Sequence, residues 1–115
     1  MFTEHDALLE RVRAAGAAAG EKCWPLPMFA EYRENIKSNV ADIKNSGGRG
    51  AGSINAAFFL KEFVDGRPWL HMDIAGVDFF EKEKGVLVKG ASGIPVRTLV
   101  NLVLDLAERP LGGSP

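Results

Sequence analysis

Apolar positions recur at helical spacing in four stretches of this chain and alternate at strand spacing in one. In HDALLERVRAAGAAAG, Leu8, Val12, Ala15 and Ala19 fall on one face, which predicts a helix ending near Gly20. Thr3 and Asp6 stand at capping-box spacing, with Asp in place of the usual Glu. KCWPLP carries two prolines and predicts an extended connector. MFAEYRENIKS predicts a second, shorter helix with Phe29, Tyr32 and Ile36 as its buried stripe, and VADIKN a short strand. SINAAFFLKEFV predicts a third helix, with Ala56, Phe59, Leu60 and Phe63 on one face and Ile54, Ala57 and Phe58 widening it. Asp65, Gly66 and Pro68 mark a turn. VRTLVNLVLDLAE predicts a closing amphipathic helix with Val96, Leu99, Val100 and Val103 in register, and LGGSP a frayed tail.

The alternating stretch is WLHMDIAG. Leu70, Met72 and Ile74 point one way and Trp69, His71 and Asp73 the other, which predicts a strong strand over 69–75. It reads as buried on both faces, and such strands need neighbours. GVDFFEKEKGVLVKGASGIP predicts mostly loop, with a weak strand at 86–88. About four helices around one strong strand and one or two weak ones make an α/β chain; because an isolated strand pair is marginal in water, either its sheet is very small or the missing strands lie in another chain or in a missing part of this one.

Composition narrows the picture. The 115 residues suit one domain. With 46% apolar and 25% charged residues, an ordinary globular core is within reach. A formal net charge of −1 gives no pull toward nucleic acid or an acidic membrane. Cys23 is the sole cysteine, which excludes an intrachain disulfide and fits a reducing compartment. MFTEHDALLE lacks the basic start and apolar segment of a signal peptide. No apolar run approaches the roughly 18 residues needed to span a bilayer. These features predict a cytoplasmic chain with neither nucleic acid nor membrane as partner.

The candidate chemistry is sparse. Gly47 and Gly52-Ser53 in the loop NSGGRGAGS (45–53) stand like the ends of a phosphate-binding loop, but the lysine that meets the terminal phosphates has no place. Backbone amides and a helix N-terminus remain, against the simpler reading of a turn in which glycine permits positive φ and close backbone approach. His71 and Asp73 share a strand face and could begin a metal site, which would need one or two more ligands. The simpler reading is a histidine and a carboxylate satisfied by hydrogen bonds within a larger sheet. Cys23 has no histidine near it in sequence, no serine sits in a G-x-S-x-G elbow, and Glu81-Lys-Glu-Lys84 reads as a solvated loop tip.

SNVADIKNSGGRGAGSINAAFFLKEF, WLHMDIAG and KGASGIPVRTLVNLV together resemble, in order and spacing, the leucyl aminopeptidase family of the cytosolic type. GEKCWPLPMFAEYRENIKS is similar to the family segment that precedes them, so the resemblance runs from Phe2 to about Glu108. It implies that residues 1–115 form the carboxy-terminal, incomplete part of a mixed-sheet α/β/α catalytic domain. It also implies that the complete domain holds two divalent metals, zinc or manganese among them, and removes leucine-like N-terminal residues from peptides as a hexamer. The family's metal ligands lie partly in an Asn-Thr-Asp-Ala-Glu-Gly-Arg run that also holds its catalytic arginine, and this sequence contains neither that run nor the motif of the catalytic lysine. No catalytic residue or metal ligand is therefore carried onto any position here, and the chain alone is expected to bind no metal and to be inactive. Three substrate-pocket positions do carry over: Ala75 and Asp78 toward the N-terminal side chain of the substrate, and Ser46 beside the next residue. Asp78 departs from members with an apolar residue there, and either bears against a purely leucine-like preference or points away from the pocket. The glycine run then becomes the family's turn before a helix rather than a nucleotide loop. The alternative function is a self-associating assembly module, since exposing sheet-facing and helix faces would cost about 1.5–3 kcal/mol for each large apolar side chain.

Overall fold

The computed structural model describes residues 1–112, so the last three residues of the expected tail lie outside the described residues. Its elements are α1 (Asp6–Ala19), a 3₁₀ helix (Ala30–Ile36), α2 (Gly52–Lys61), β1 (Phe79–Phe80), β2 (Gly90–Ala91) and α3 (Val96–Glu108). The chain divides into two compact units. One comprises Met1–Leu9 with Trp24–Met72, the other Glu10–Cys23 with the residues from Asp73 onward.

The first unit is built on Phe2, Ile36, Ala57 and Phe58, all essentially removed from solvent. Phe2 and His71 exchange backbone hydrogen bonds of 2.9 Å in both directions, and their rings stack at 5.8 Å. That bridge is the only ladder contact in the stretch expected to be a strong strand. The peptide at 69–75 is irregular or extended apart from His71, and the two short strands of the chain lie at 79–80 and 90–91 instead. The cause is local: a strand needs continuous partners, and Phe2 is the one residue that pairs with this stretch among the described residues. The Thr3 hydroxyl donates to Trp69 O at 2.7 Å and accepts from the His5 amide, so it serves this junction and does not form a capping box with Asp6.

The expected second helix is a 3₁₀ helix and buries Ile36, while Phe29 stays exposed and Tyr32 half-buried against it. VADIKN is a bend rather than a strand, because the Ser38 hydroxyl accepts from the amides of Val40 and Ala41 and curls the backbone. In α2 the buried positions are Asn55, Ala57 and Phe58, whereas Ala56, Leu60 and Phe63 face solvent. The helix is rolled from the expected face because Asn55 is drawn inward to hold the preceding loop. Arg33 on the 3₁₀ helix forks onto Glu62 at 2.7 and 2.8 Å and fixes it against the end of α2.

The second unit is organised by the end of α1 and by α3. Gly20 adopts φ +70°; its amide reaches Ala17 O, and the Glu21 amide reaches Gly16 O at 2.8 Å. This pair of bonds is a Schellman stop, which places the helix end where the sequence puts it. Gly16 is required for a different reason: a Cβ there would lie 2.7 Å from Glu21 O and 2.8 Å from Cys23 Sγ.

α3 is inverted with respect to ordinary amphipathic packing. Thr98 is fully buried, Asn101 donates to Ala15 O at 3.2 Å, and Asp105 accepts from Arg11 Nε at 2.5 Å. The apolar stripe predicted as its packing face points outward: Val96, Leu99, Val100 and Val103, and Leu104 beside them, are each between 46% and 63% exposed. β1 and β2 pair antiparallel, Phe79 with Ala91 and Phe80 with Gly90. The weak strand expected at 86–88 is part of a tight turn closed by Lys84 and Leu87, with Val86 exposed at its tip.

Candidate functional site

In the first unit, the loop 45–53 and the start of α2 border a cavity of about 370 Å³, lined by Ser46, Gly47, Gly48, Asn55, Phe59 and Leu60 among others. Asn55 shapes it. This side chain is buried, donates to Gly50 O at 2.8 Å and to Gly47 O at 3.4 Å, and accepts from Asn35 Nδ2 at 3.0 Å. The expectation of a glycine turn holds at two positions. Gly48 takes φ +87°, and Gly47 lies so close to Asn55 that a Cβ would sit 2.6 Å from its amide group. The left-handed residue that opens α2 is not a glycine but Ala51, at φ 53°. Carbonyls of the loop turn inward onto Asn55, and no side chain caps α2. Nothing here adds the lysine that a phosphate loop requires. Ser46 stands exposed on the cavity rim.

Ala75 and Asp78 belong to the second unit, in one turn. Asp73 Oδ1 accepts the Ala75 amide at 2.9 Å, the Val77 amide reaches Ile74 O at 3.0 Å, and Gly76 takes φ +85°. The Ser92 amide donates to Asp78 O at 2.8 Å and ties the end of the turn to the residue after β2. Both Ala75 and Asp78 are exposed. Asp73 thus spends one oxygen on its own backbone, in a turn and not within the larger sheet that the simpler reading of the His71 and Asp73 pair expects. Among the described residues, no three or more His, Cys, Asp or Glu side chains gather into a group that could hold a metal ion.

Periodicity does not reveal the principal titratable cluster of the second unit. Glu21 is buried; one carboxylate oxygen accepts the Thr98 amide at 2.9 Å and the Thr98 hydroxyl at 2.6 Å, the other accepts Arg97 Nε at 3.1 Å. Burial alone would raise this carboxyl, but the Thr98 hydrogen bonds and the Arg97 guanidinium outweigh it and hold its pKa below the usual value. The guanidiniums of Arg109 and Arg11 hold Asp105 below its ordinary range, and that of Arg33 does the same for Glu62. The one signal in sequence was Glu21 directly after the terminal glycine of a helix, and it names no partner.

The sequence pattern of the cytosol aminopeptidase family, catalytic domain, matches residues 1–100. The chain belongs to that family. Among its curated cytosol aminopeptidase relatives, a probable cytosol aminopeptidase of Gloeobacter violaceus is 52% identical over 104 residues, covering 90% of this chain and 21% of the relative. One of Alkaliphilus oremlandii is 52% identical over 108 residues, 94% of this chain and 22% of the relative. Of solved structures, the bottromycin maturation enzyme BotP matches at TM-score 0.87 and 39% identity over 93% of this chain and 24% of that one. A tomato leucine aminopeptidase mutant matches at TM-score 0.82 and 44% identity over 90% and 20%. The chain spans about a fifth of the length of the curated relatives it matches. Its α/β architecture, four helical segments with a small antiparallel pair, is that of a part of such domains. BotP has also been solved in complex with Mn. No helix among the described residues is long and apolar enough to cross a membrane.

Proposed function

We propose that this chain supplies the carboxy-terminal part of the catalytic domain of a cytoplasmic, metal-dependent aminopeptidase that releases N-terminal residues from peptides. The observation that carries the reading is the family match over residues 1–100. In the complete domain two divalent ions, manganese or zinc, belong to residues outside the stretch described here. The manganese bound by BotP supports metal use in the family. This chain contributes substrate-contacting surface: Ala75 and Asp78 toward the N-terminal side chain, and Ser46 toward the residue after it. Asp78 shifts preference away from a purely leucine-like side chain and toward one that a carboxylate accepts. The complete enzyme works as a homo-oligomer, a hexamer as in the family.

The test has two arms. The 115-residue chain alone, with manganese added, is expected to leave a leucine anilide intact, and robust turnover would overturn the assignment of the metals to other residues. Placed in the complete domain, Asp78→Leu is expected to raise the rate on leucine relative to lysine substrates. An unchanged ratio would remove Asp78 from the pocket.

A further inference from the structure

We propose that Asp65-Gly66 is a site of spontaneous covalent modification, where the folded chain rearranges to isoaspartate and so becomes a substrate for a carboxyl methyltransferase. The site owes nothing to family membership or to the proposed peptidase activity.

The conformation comes first. The Arg67 amide donates to Val64 O at 3.1 Å and closes a four-residue turn with Asp65 and Gly66 at its centre. Both central residues have positive φ, 53° and 69°, the pattern of a type I′ turn, in which Asp-Gly is a favoured pair. Among the described residues, no hydrogen bond or ion pair engages the Asp65 carboxylate or the Gly66 amide. Both residues are exposed, and a Cβ at Gly66 would meet no atom within 4 Å. The electrophile and the nucleophile are therefore adjacent, unoccupied and open to water.

The chemistry follows from that adjacency. The Gly66 backbone nitrogen attacks Asp65 Cγ. A C–N bond forms, and the amide proton leaves with the carboxyl hydroxyl as water, giving a five-membered succinimide. Water then adds to one ring carbonyl. Breaking the bond from Cγ to nitrogen restores aspartate. Breaking the bond from the main-chain carbonyl carbon to nitrogen leaves the chain linked through Cγ, with a free α-carboxylate. Nothing is oxidised or reduced, and the mass is unchanged. Two features favour the step here. Glycine presents no Cβ to crowd the attacking nitrogen, whereas every other aspartate of the chain precedes a residue with a side chain. The product also runs its main chain through one extra methylene, so it is released from the left-handed region that a non-glycine residue enters at a cost.

The full chain is aged at neutral pH and physiological temperature, digested, and mapped by electron-transfer fragmentation. Methyl transfer from S-adenosylmethionine by an isoaspartyl carboxyl methyltransferase gives a second count. Isoaspartate is expected at position 65 at least about fivefold above any other aspartate, a gap of about 1 kcal/mol in barrier. Asp65→Glu, whose ring would have six members, removes the methyl uptake that belongs to this site, and Gly66→Ala reduces it. An exposed turn opens at little cost, so the folded chain accumulates product within about fivefold of its rate in urea. A larger suppression would show that the turn protects the pair, and would overturn the proposal. So would a smaller gap to the other aspartates, or methyl uptake that Asp65→Glu leaves unchanged. Isoaspartate formed by deamidation at Asn45 changes the mass, so it is not mistaken for rearrangement at Asp65.

Discussion

Removal of the Glu21 carboxylate is the sharpest test of the second unit. In Glu21→Ala the Thr98 amide and hydroxyl lose their acceptor together while Thr98 remains fully buried. A hydrogen bond to a charged group contributes about 1.5–3 kcal/mol, and stranding its buried partner adds the desolvation of that partner. The expected loss is about 3–5 kcal/mol, the two contributions taken together. Glu21→Gln keeps an acceptor oxygen and the side-chain volume, and its cost falls to about 1–2 kcal/mol. Arg97→Ala removes only a contact from a side chain that is 59% exposed, and costs at most about 1 kcal/mol. Urea unfolding followed by far-ultraviolet circular dichroism measures all three. The acidity dependence adds a check. Because the folded pKa of Glu21 is lowered, its stabilisation is complete above the unfolded carboxyl pKa of about 4.3. It fades as the pH falls below that value and through the lower folded one, and Glu21→Gln flattens this part of the profile. A Glu21→Ala chain within about 0.5 kcal/mol of the parent, or an Arg97→Ala chain as weak as Glu21→Ala, would refute the argument.

In the first unit, Asn55→Ala is expected to cost about 2 kcal/mol and to speed amide exchange between Gly47 and Gly52, read by hydrogen-exchange mass spectrometry. Gly47→Ala forces a Cβ to within 2.6 Å of Asn55 and should cost about 1–3 kcal/mol in the same urea titration. Gly20→Ala meets no atom within 4 Å but must hold φ +70°, so it is expected to cost about 1 kcal/mol.

The helices were readable because their determinants are local. Leu8, Val12 and Ala15 are buried as their spacing predicts, and Gly20 ends α1 as glycine does. α3 was legible in its bounds but not in its orientation. A valine-leucine stripe normally marks the inside of a helix, and only the distant partners of Thr98, Asn101 and Asp105, 77 to 94 residues away, reveal that this one points outward. The stretch 69–75 shows the converse. Its alternation records a strand environment that a chain of this length does not supply, so the pattern is present and the ladder is not. Of the candidate site, the glycine turn was visible in composition, whereas Asn55 was hidden inside a run of apolar residues. A buried amide is recognised by what it bonds, and those carbonyls lie five and eight residues before it.

The packing that forbids a side chain at residue 16 also governs the only thiol. Cys23 Sγ is half-buried, donates toward Glu21 O at 3.5 Å, and is pushed by burial to a raised pKa. At neutral pH it is a protonated, shielded sulfur that alkylating reagents meet slowly. Unfolding restores an ordinary cysteine. A brief pulse of maleimide therefore reports the fraction of molecules whose α1 terminus has opened, and the protein carries its own chemical clock for that event without an added label.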